Sequence, residues 1–301
     1  MVKIFLGKWL IFIQERFPLV YHVPMIISYW AVNALVAMKS CAMPVDWSDI
    51  RYGSLGIIFL IFFHLRIFDE IKDCAHDKKV NPTRPLARGL ISLGQAKGMA
   101  IVLIAGELAL SFQMGWAALW AMAMVICYSF MMYKEFFIGA WLRPRLATYA
   151  LAHTLVSCAM ACFIFAGMTG RYFWQAPGIF ILFIFVNWML FNIFEFGRKI
   201  FGPEEEHSPE DSYSNRLGPV RAAFNVWGMS AVAVSASCVL GISWGFGRLF
   251  FVSILLLFFI VVMCSLLYGH FNNGFWAKCL RAVSSMFILF YSLIHIIGLL
   301  H

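Results

Sequence analysis

The sequence predicts an all-α integral membrane protein, a single unit of about nine transmembrane helices around a central cavity spanning residues 1–301. Three observations predict it. Of the residues, 62% are apolar and only 13% are charged, whereas a soluble domain carries roughly a quarter charged residues. Nine apolar stretches each approach the roughly 20 helical residues that cross a hydrocarbon core about 30 Å thick. The 23 Lys and Arg residues are distributed very unevenly among the connections. Composition therefore excludes an ordinary soluble enzyme. The eight cysteines are dispersed through apolar stretches and form neither a disulfide framework nor a zinc site. Even Cys158 and Cys162, one helical turn apart, lack nearby His or acidic partners and read as packing residues.

Residues 1–17 interleave apolar and charged side chains and lack a small-residue cleavage site. They predict an interfacial amphipathic helix, not a signal peptide. The spans follow at 19–40, 53–74, 95–115, 117–134, 146–168, 177–199, 217–241, 248–268 and 279–300. With the N-terminus inside, 19 Lys and Arg fall on the inner side and four on the outer side (Lys39, Arg51, Arg171 and Arg248). The positive-inside rule then sets the N-terminus and charged loops in the cytoplasm and the C-terminus outside, as expected of a bacterial inner membrane. This topology explains the net charge of +8, and no nucleic-acid partner is needed. Outer connections are brief, whereas the inner segments 74–94 and 200–216 are long and carry both signs of charge. Function is expected on the inner face.

The second span ends in Asp69, Glu70, Asp73 and Asp77. Residues four apart stack on one helix face, so the three aspartates form a stripe with Glu70 beside it. Stacked carboxylates at a membrane edge repel and need a compensating cation. Neighbouring Lys and Arg could supply it as a solvated, salt-bridged helix end. Lys72, Lys78, Lys79, Arg84 and Arg88 nevertheless exceed what structural pairing requires, and "NPTRP" followed by "RG" marks a structured loop. Carboxylates for Mg2+ beside a basic loop describe a diphosphate site, because Mg2+ is usually held by a few carboxylates and the phosphate oxygens themselves.

The sixth span repeats this organisation. It runs into Glu195, Arg198 and Lys199 and then a proline-bearing loop. Glu195 and Lys199 could form a simple i,i+4 pair, but with Asn187 and Asn192 they give the span a polar face near its inner end, which favours a site. In the acidic loop that follows, only Asp211 is a candidate additional ligand. After the fourth span, Tyr128, Tyr133 and Lys134 lie at the inner edge, where Lys134, Arg143 and Arg145 could equally act as topology determinants. His153, one turn beyond Tyr149, is a candidate for acceptor binding or proton removal. His22, His64, Glu107 and His295 read as packing residues. Aromatics reach 17%, enough to line a cavity as well as face lipid.

These residues resemble the UbiA superfamily of intramembrane prenyltransferases. That family carries an Asn-Asp-x-x-Asp-x-x-x-Asp motif after its second helix and an Asp-x-x-x-Asp motif after its sixth, which hold Mg2+ and a prenyl diphosphate. Here Asp69, Glu70, Asp73 and Asp77 match the first motif, with Asp for its Asn and Glu for its first Asp, and "RPLARGLIS" is similar to its loop. The second motif reads Glu195 to Lys199, with one carboxylate replaced by Lys. The resemblance implies nine helices, an inner-side site and Mg2+ held by Asp69, Glu70, Asp73, Asp77 and Glu195. It implies diphosphate binding by Lys72, Arg84, Arg88, Lys134, Arg198 and Lys199, with Asp73, Asp77 and Lys199 central to catalysis. Tyr128, Tyr133, His153, Asn192 and Asp211 are candidates to bind the acceptor or stabilise a cation. The expected activity is prenyl transfer to an aromatic or other lipophilic acceptor. A terpene cyclase using the same site without an acceptor is the alternative. A different class, an ion-coupled transporter or lipid-binding protein, is less consistent with carboxylates at the inner edge.

Overall fold

The computed structural model describes residues 2–45, 47–206 and 212–301, with the side chains of residues 2–5 and 49 outside the description. The described residues form helices and connecting turns, without strands. The helices are α1 (Val2–Arg16), α2 (Leu19–Ser40), α3 (Gly53–Val80), α4 (Leu93–Gln113), α5 (Trp116–Tyr133), α6 (Gly139–Leu142), α7 (Leu146–Thr154), α8 (Val156–Thr169), α9 (Gly178–Gly197), α10 (Tyr213–Leu217), α11 (Pro219–Trp244), α12 (Arg248–Phe271) and α13 (Gly274–Leu300). Counting α7 and α8 together, eight are long and apolar enough to cross a membrane. The ninth expected span is α3, whose apolar run ends in Arg66, Asp69 and Glu70. Apolar residues such as Leu249, Val252 and Phe259 of α12 remain exposed, which is what a lipid-facing helix requires.

Several boundaries differ by a few residues from the sequence expectation, among them the start of α13 at Gly274 rather than 279, and two departures shape the inner edge. The segment from residue 74, expected to open the inner loop, continues α3 to Val80 because nothing in "CAHDKKV" breaks a helix. Pro82 then disfavours helical geometry for Asn81, which sits at φ −130° and ψ 60°. Ser92 restarts the chain as α4, its hydroxyl accepting from the Gln95 backbone while the Gln95 side chain accepts from the Ser92 amide. The fifth span bends at Leu155. There the Thr154 hydroxyl bonds back to the carbonyls of Ala150 and Leu151, a local competition that bends helices.

The helix faces meet around an aromatic interior. Phe62 of α3 stacks on Phe191 of α9, and Tyr29 of α2 meets both rings edge-on. Asn33 and Asn187 pair across α2 and α9, each amide donating to the other, which satisfies two buried polar groups in an apolar setting. At the expected place of the central cavity these side chains pack together. Open apolar grooves run along α1, α2 and α3. α1 packs Trp9 and Phe12 against Phe63 while Leu6 and Leu10 stay exposed. Close approach also matters at Gly197, where any Cβ would overlap the Ser284 side chain of α13.

Candidate active site

Phe62 and Asp69 are seven residues apart on α3, and Phe191 and Glu195 are four apart on α9. Helical periodicity therefore sets Asp69 and Glu195 above the stacked Phe62–Phe191 pair. The two charged helix ends consequently share one region. His153 lies within electrostatic reach of Lys72, Asp69 and Glu195, and Asp69 also reaches Arg198.

At the end of α3 the carboxylates divide into two groups. Asp69 is half exposed and takes a hydrogen bond from Lys72 Nζ at 3.3 Å. Asp73, one turn on, forms no ion pair or hydrogen bond among the described residues. These two are the available carboxylates. Asp77 is buried and receives Arg84 Nη1 on both oxygens, at 2.6 and 2.7 Å, with Asn81 adding a contact at 3.3 Å. Glu70, only 2% exposed, is engaged by Arg16 of α1 at 2.5 Å and by Arg66 at 3.6 Å. Its second oxygen, Oε2, is buried without a partner. The predicted ligand Glu70 thus joins α3 to the N-terminal helix, 54 residues away in sequence, rather than standing free in the stripe.

The basic residues also divide. Lys72 bridges Asp69 to the Tyr149 hydroxyl, to which it donates at 2.9 Å, so α3 is tied to α7. Arg88 turns to α1, where it makes two 2.8 Å bonds to Glu15 and one to the Thr83 carbonyl. This Arg88 pairing holds the Glu15 carboxyl below its ordinary range. Lys134 is exposed over the Tyr133 ring, whose other contacts include Phe68 of α3.

At the end of α9 the order is reversed. Glu195 is saturated by Arg198, at 2.6 and 2.9 Å, and by Lys199 at 3.2 Å. Both cations stand at a helix C-terminus, where the backbone dipole favours them. Lys199 also lies 5.9 Å from the Tyr213 ring centroid, and Tyr213 stacks on Phe196. Burial pushes the Tyr213 phenol well above its ordinary pKa. Asn192 is fully used, donating to the Trp188 carbonyl and accepting from Thr154. It holds the bend between α7 and α8. Tyr128 donates to the Ala152 carbonyl and likewise ties α5 to α7. The expectation placed on Asp211 lies outside the described residues.

Sequence reasoning missed three participants. Tyr149 was visible only as a neighbour of His153, and Arg16 carried no local signal. The third is a turn: Glu135, Phe136 and Phe137 have φ of 50°, 56° and 60°. Left-handed geometry costs about 1–2 kcal/mol per residue outside glycine. It is held by Arg143, whose Nε approaches both Glu135 oxygens at 3.0 and 2.8 Å. The turn places the Phe136 ring beside Tyr128 and His153.

No cluster of three or more His, Cys, Asp or Glu suited to a metal occurs among the described residues. The donor set still fits Mg2+, which usually needs only one or two carboxylates when phosphate oxygens and water complete its shell. Asp69, half exposed, and Asp73, without an ion pair among the described residues, meet that requirement.

Comparison with solved structures identifies the fold. The chain aligns with a digeranylgeranylglyceryl phosphate synthase structure at TM-score 0.63 and 15% identity, covering 93% of this chain and 98% of that one. It aligns with a UbiA homologue from Aeropyrum pernix K1 at TM-score 0.63 and 17% identity, covering 91% and 97%. A UbiA homologue from Archaeoglobus fulgidus, bound to GPP and Mg2+, aligns at TM-score 0.53 and 14% identity, covering 94% and 98%. No family model and no curated protein sequence matches the chain. The fold is that of UbiA, in a multi-pass membrane protein.

Proposed function

We propose that this UbiA-fold protein is a Mg2+-dependent intramembrane prenyltransferase, which ionises a prenyl diphosphate and passes the isoprenyl group to an aromatic or other lipophilic acceptor. The observation that carries the reading is the opposition of two helix ends: α3 with the available carboxylates Asp69 and Asp73, and α9 with its carboxylate already neutralised by Arg198 and Lys199. A metal-bound diphosphate has complementary faces, one toward carboxylates and one toward cations. The fold likeness to a homologue bound to GPP and Mg2+ supports the same reading.

Asp69 and Asp73 would hold Mg2+, which when bound supplies positive charge that stabilises the departing diphosphate. Arg198 and Lys199 from α9, and Lys72 from α3, bind phosphate oxygens and strengthen as negative charge develops there. Arg84 neutralises Asp77 in this structure and would turn to phosphate when donor binds, and Asp77 so freed would be a further carboxylate able to hold Mg2+. Below the diphosphate the packed rings of Phe62, Phe191 and Tyr29 must part to admit the prenyl chain, and each ring face so freed attracts an allylic cation by about 0.5–2 kcal/mol. Glu70 and Arg88 act through α1, fixing the edge of the site, rather than on the donor. The active side faces the cytoplasm by the charge distribution of the loops.

The test is diphosphate release by purified protein given geranyl, farnesyl or geranylgeranyl diphosphate, with Mg2+ or EDTA, with and without membrane lipid extract. Mg2+-dependent release with a product mass that includes an acceptor ring supports transfer. Release with hydrocarbon products alone points to cyclisation. No release with any donor in either condition removes the enzymatic reading and brings the ion-coupled transporter forward.

A further inference from the structure

Ionisation leaves a cation, and a neutral product requires that a proton be lost. The group that removes it must be a buried base with a free lone pair, close to the diphosphate cluster but outside its ion pairs. His153 is that group among the described residues. Its Nδ1 lies 2.8 Å from the Tyr149 carbonyl, which can only accept, so Nδ1 carries the proton in the neutral ring and Nε2 presents its lone pair. Nε2 is buried and has no hydrogen-bond partner.

Two further contacts fix the ring. The imidazole stacks on Tyr149, with centroids 3.9 Å apart and planes 15° apart. Tyr149 in turn receives Lys72, which also contacts Asp69, so His153 is three contacts from the motif carboxylate. The Phe136 ring stands edge-on to the imidazole at 5.8 Å, delivered by the left-handed turn at Glu135 to Phe137. Three consecutive non-glycine residues in that conformation are unfavourable, and such strain is concentrated where a side chain must be aimed. The strained turn and the unpartnered Nε2 are independent observations that converge on the same ring.

We infer that His153 Nε2 is the base that quenches the cation by accepting a proton from carbon, an inference that rests on the prenyl diphosphate reading of the site. The C–O bond to diphosphate breaks and its electron pair leaves with the diphosphate. A C–C bond forms from the π pair of an acceptor ring, or of the chain's own distal double bond. The C–H bond adjacent to the resulting cationic carbon then breaks. Its electrons restore the ring or form the new double bond, and the proton passes to Nε2, leaving an imidazolium that Lys72 repels and that Asp69 and Glu195 attract. With no acceptor present, proton loss from the ionised chain itself yields a hydrocarbon, and capture by water yields a prenol.

The experiment uses that partition. Full-length protein in nanodiscs receives farnesyl diphosphate and Mg2+ without acceptor, and hydrocarbon and farnesol are measured per diphosphate released. Wild type is expected to favour hydrocarbon, and His153→Asn, which retains a donor for the Tyr149 carbonyl but no base, to shift the ratio at least tenfold toward farnesol. His153→Gln provides the same reading should His153→Asn not fold. Because the ratio is taken per ionisation, a change in overall rate does not enter it. An unchanged ratio in a variant that still releases diphosphate overturns the role of His153 and leaves the diphosphate chemistry standing. Absence of diphosphate from wild type with farnesyl or geranylgeranyl diphosphate overturns the reading beneath it.

Discussion

The ends of α3 and α9 begin alike, as apolar helices running into charge at one edge of the bundle, and finish as opposites. α3 presents Asp69 and Asp73 with little internal compensation, while α9 encloses its one carboxylate between Arg198 and Lys199. At the first end Asp73 is left without a paired cation among the described residues, a charge that a metal would supply. The second has cation capacity beyond its own carboxylate, directed at an anion. On the proposed function, two similar sequence features would divide the work of binding one metal-bound anion, and the division would follow from how each carboxylate is already paired.

The largest effect is expected from removing the anionic half. Asp69→Asn with Asp73→Asn should lower diphosphate release by about 10²–10³-fold with the protein still folded, read by release kinetics alongside thermal melting. A wild-type rate would erase the contrast between the helix ends. Converting the second end toward the first is the next step down. Lys199→Asp puts two carboxylates one turn apart, and donor binding in EDTA should weaken about tenfold as a phosphate-facing cation becomes an anion, seen by calorimetry with geranyl diphosphate.

A smaller effect separates α3's two carboxylate groups. Glu70→Gln removes the charge that Arg16 and Arg66 share, and should cost about 1–3 kcal/mol of stability, less than a fully buried pair because Arg16 keeps some solvent contact. Faster proteolysis of α1 would report its release, and unchanged melting would return Glu70 to the metal set. The smallest expectation concerns pH. Arg281, by two hydrogen bonds, holds Glu205 down to about 2 from the ordinary 4.5. A lowered folded pKa adds stability that is complete above the unfolded value and lost as pH falls through the folded one, so this contact should persist at pH 4 and disappear near pH 2. Comparing Glu205→Gln with wild type across that range, the stability gap should close only at the acid end.

Much of this was legible in the sequence because it depends on local periodicity. Apolar length located the long helices, eight of which among the described residues are apolar enough to cross a membrane, and the spacing of Asp69, Asp73 and Asp77 singled out the charged end of α3. What sequence could not reveal were partners fixed by tertiary contact. Arg16 takes Glu70 out of the stripe from another helix, and Arg84 closes on Asp77 because Pro82 turns the chain back. Asn192 read as a polar face toward a cavity and is instead satisfied by Thr154 at the bend of the fifth span. The positive φ of Phe136 has no signature in residue type, since left-handed turns are ordinarily marked by glycine.

The most direct test of the division of labour is the Mg2+ dependence of geranyl diphosphate binding to wild type, Asp73→Asn and Glu195→Gln. Wild type and Glu195→Gln should each lose at least tenfold in affinity when EDTA replaces Mg2+, while Asp73→Asn should bind weakly and equally in both. Mg2+ sensitivity that survives in Asp73→Asn and vanishes in Glu195→Gln would place the metal at α9 and contradict the account.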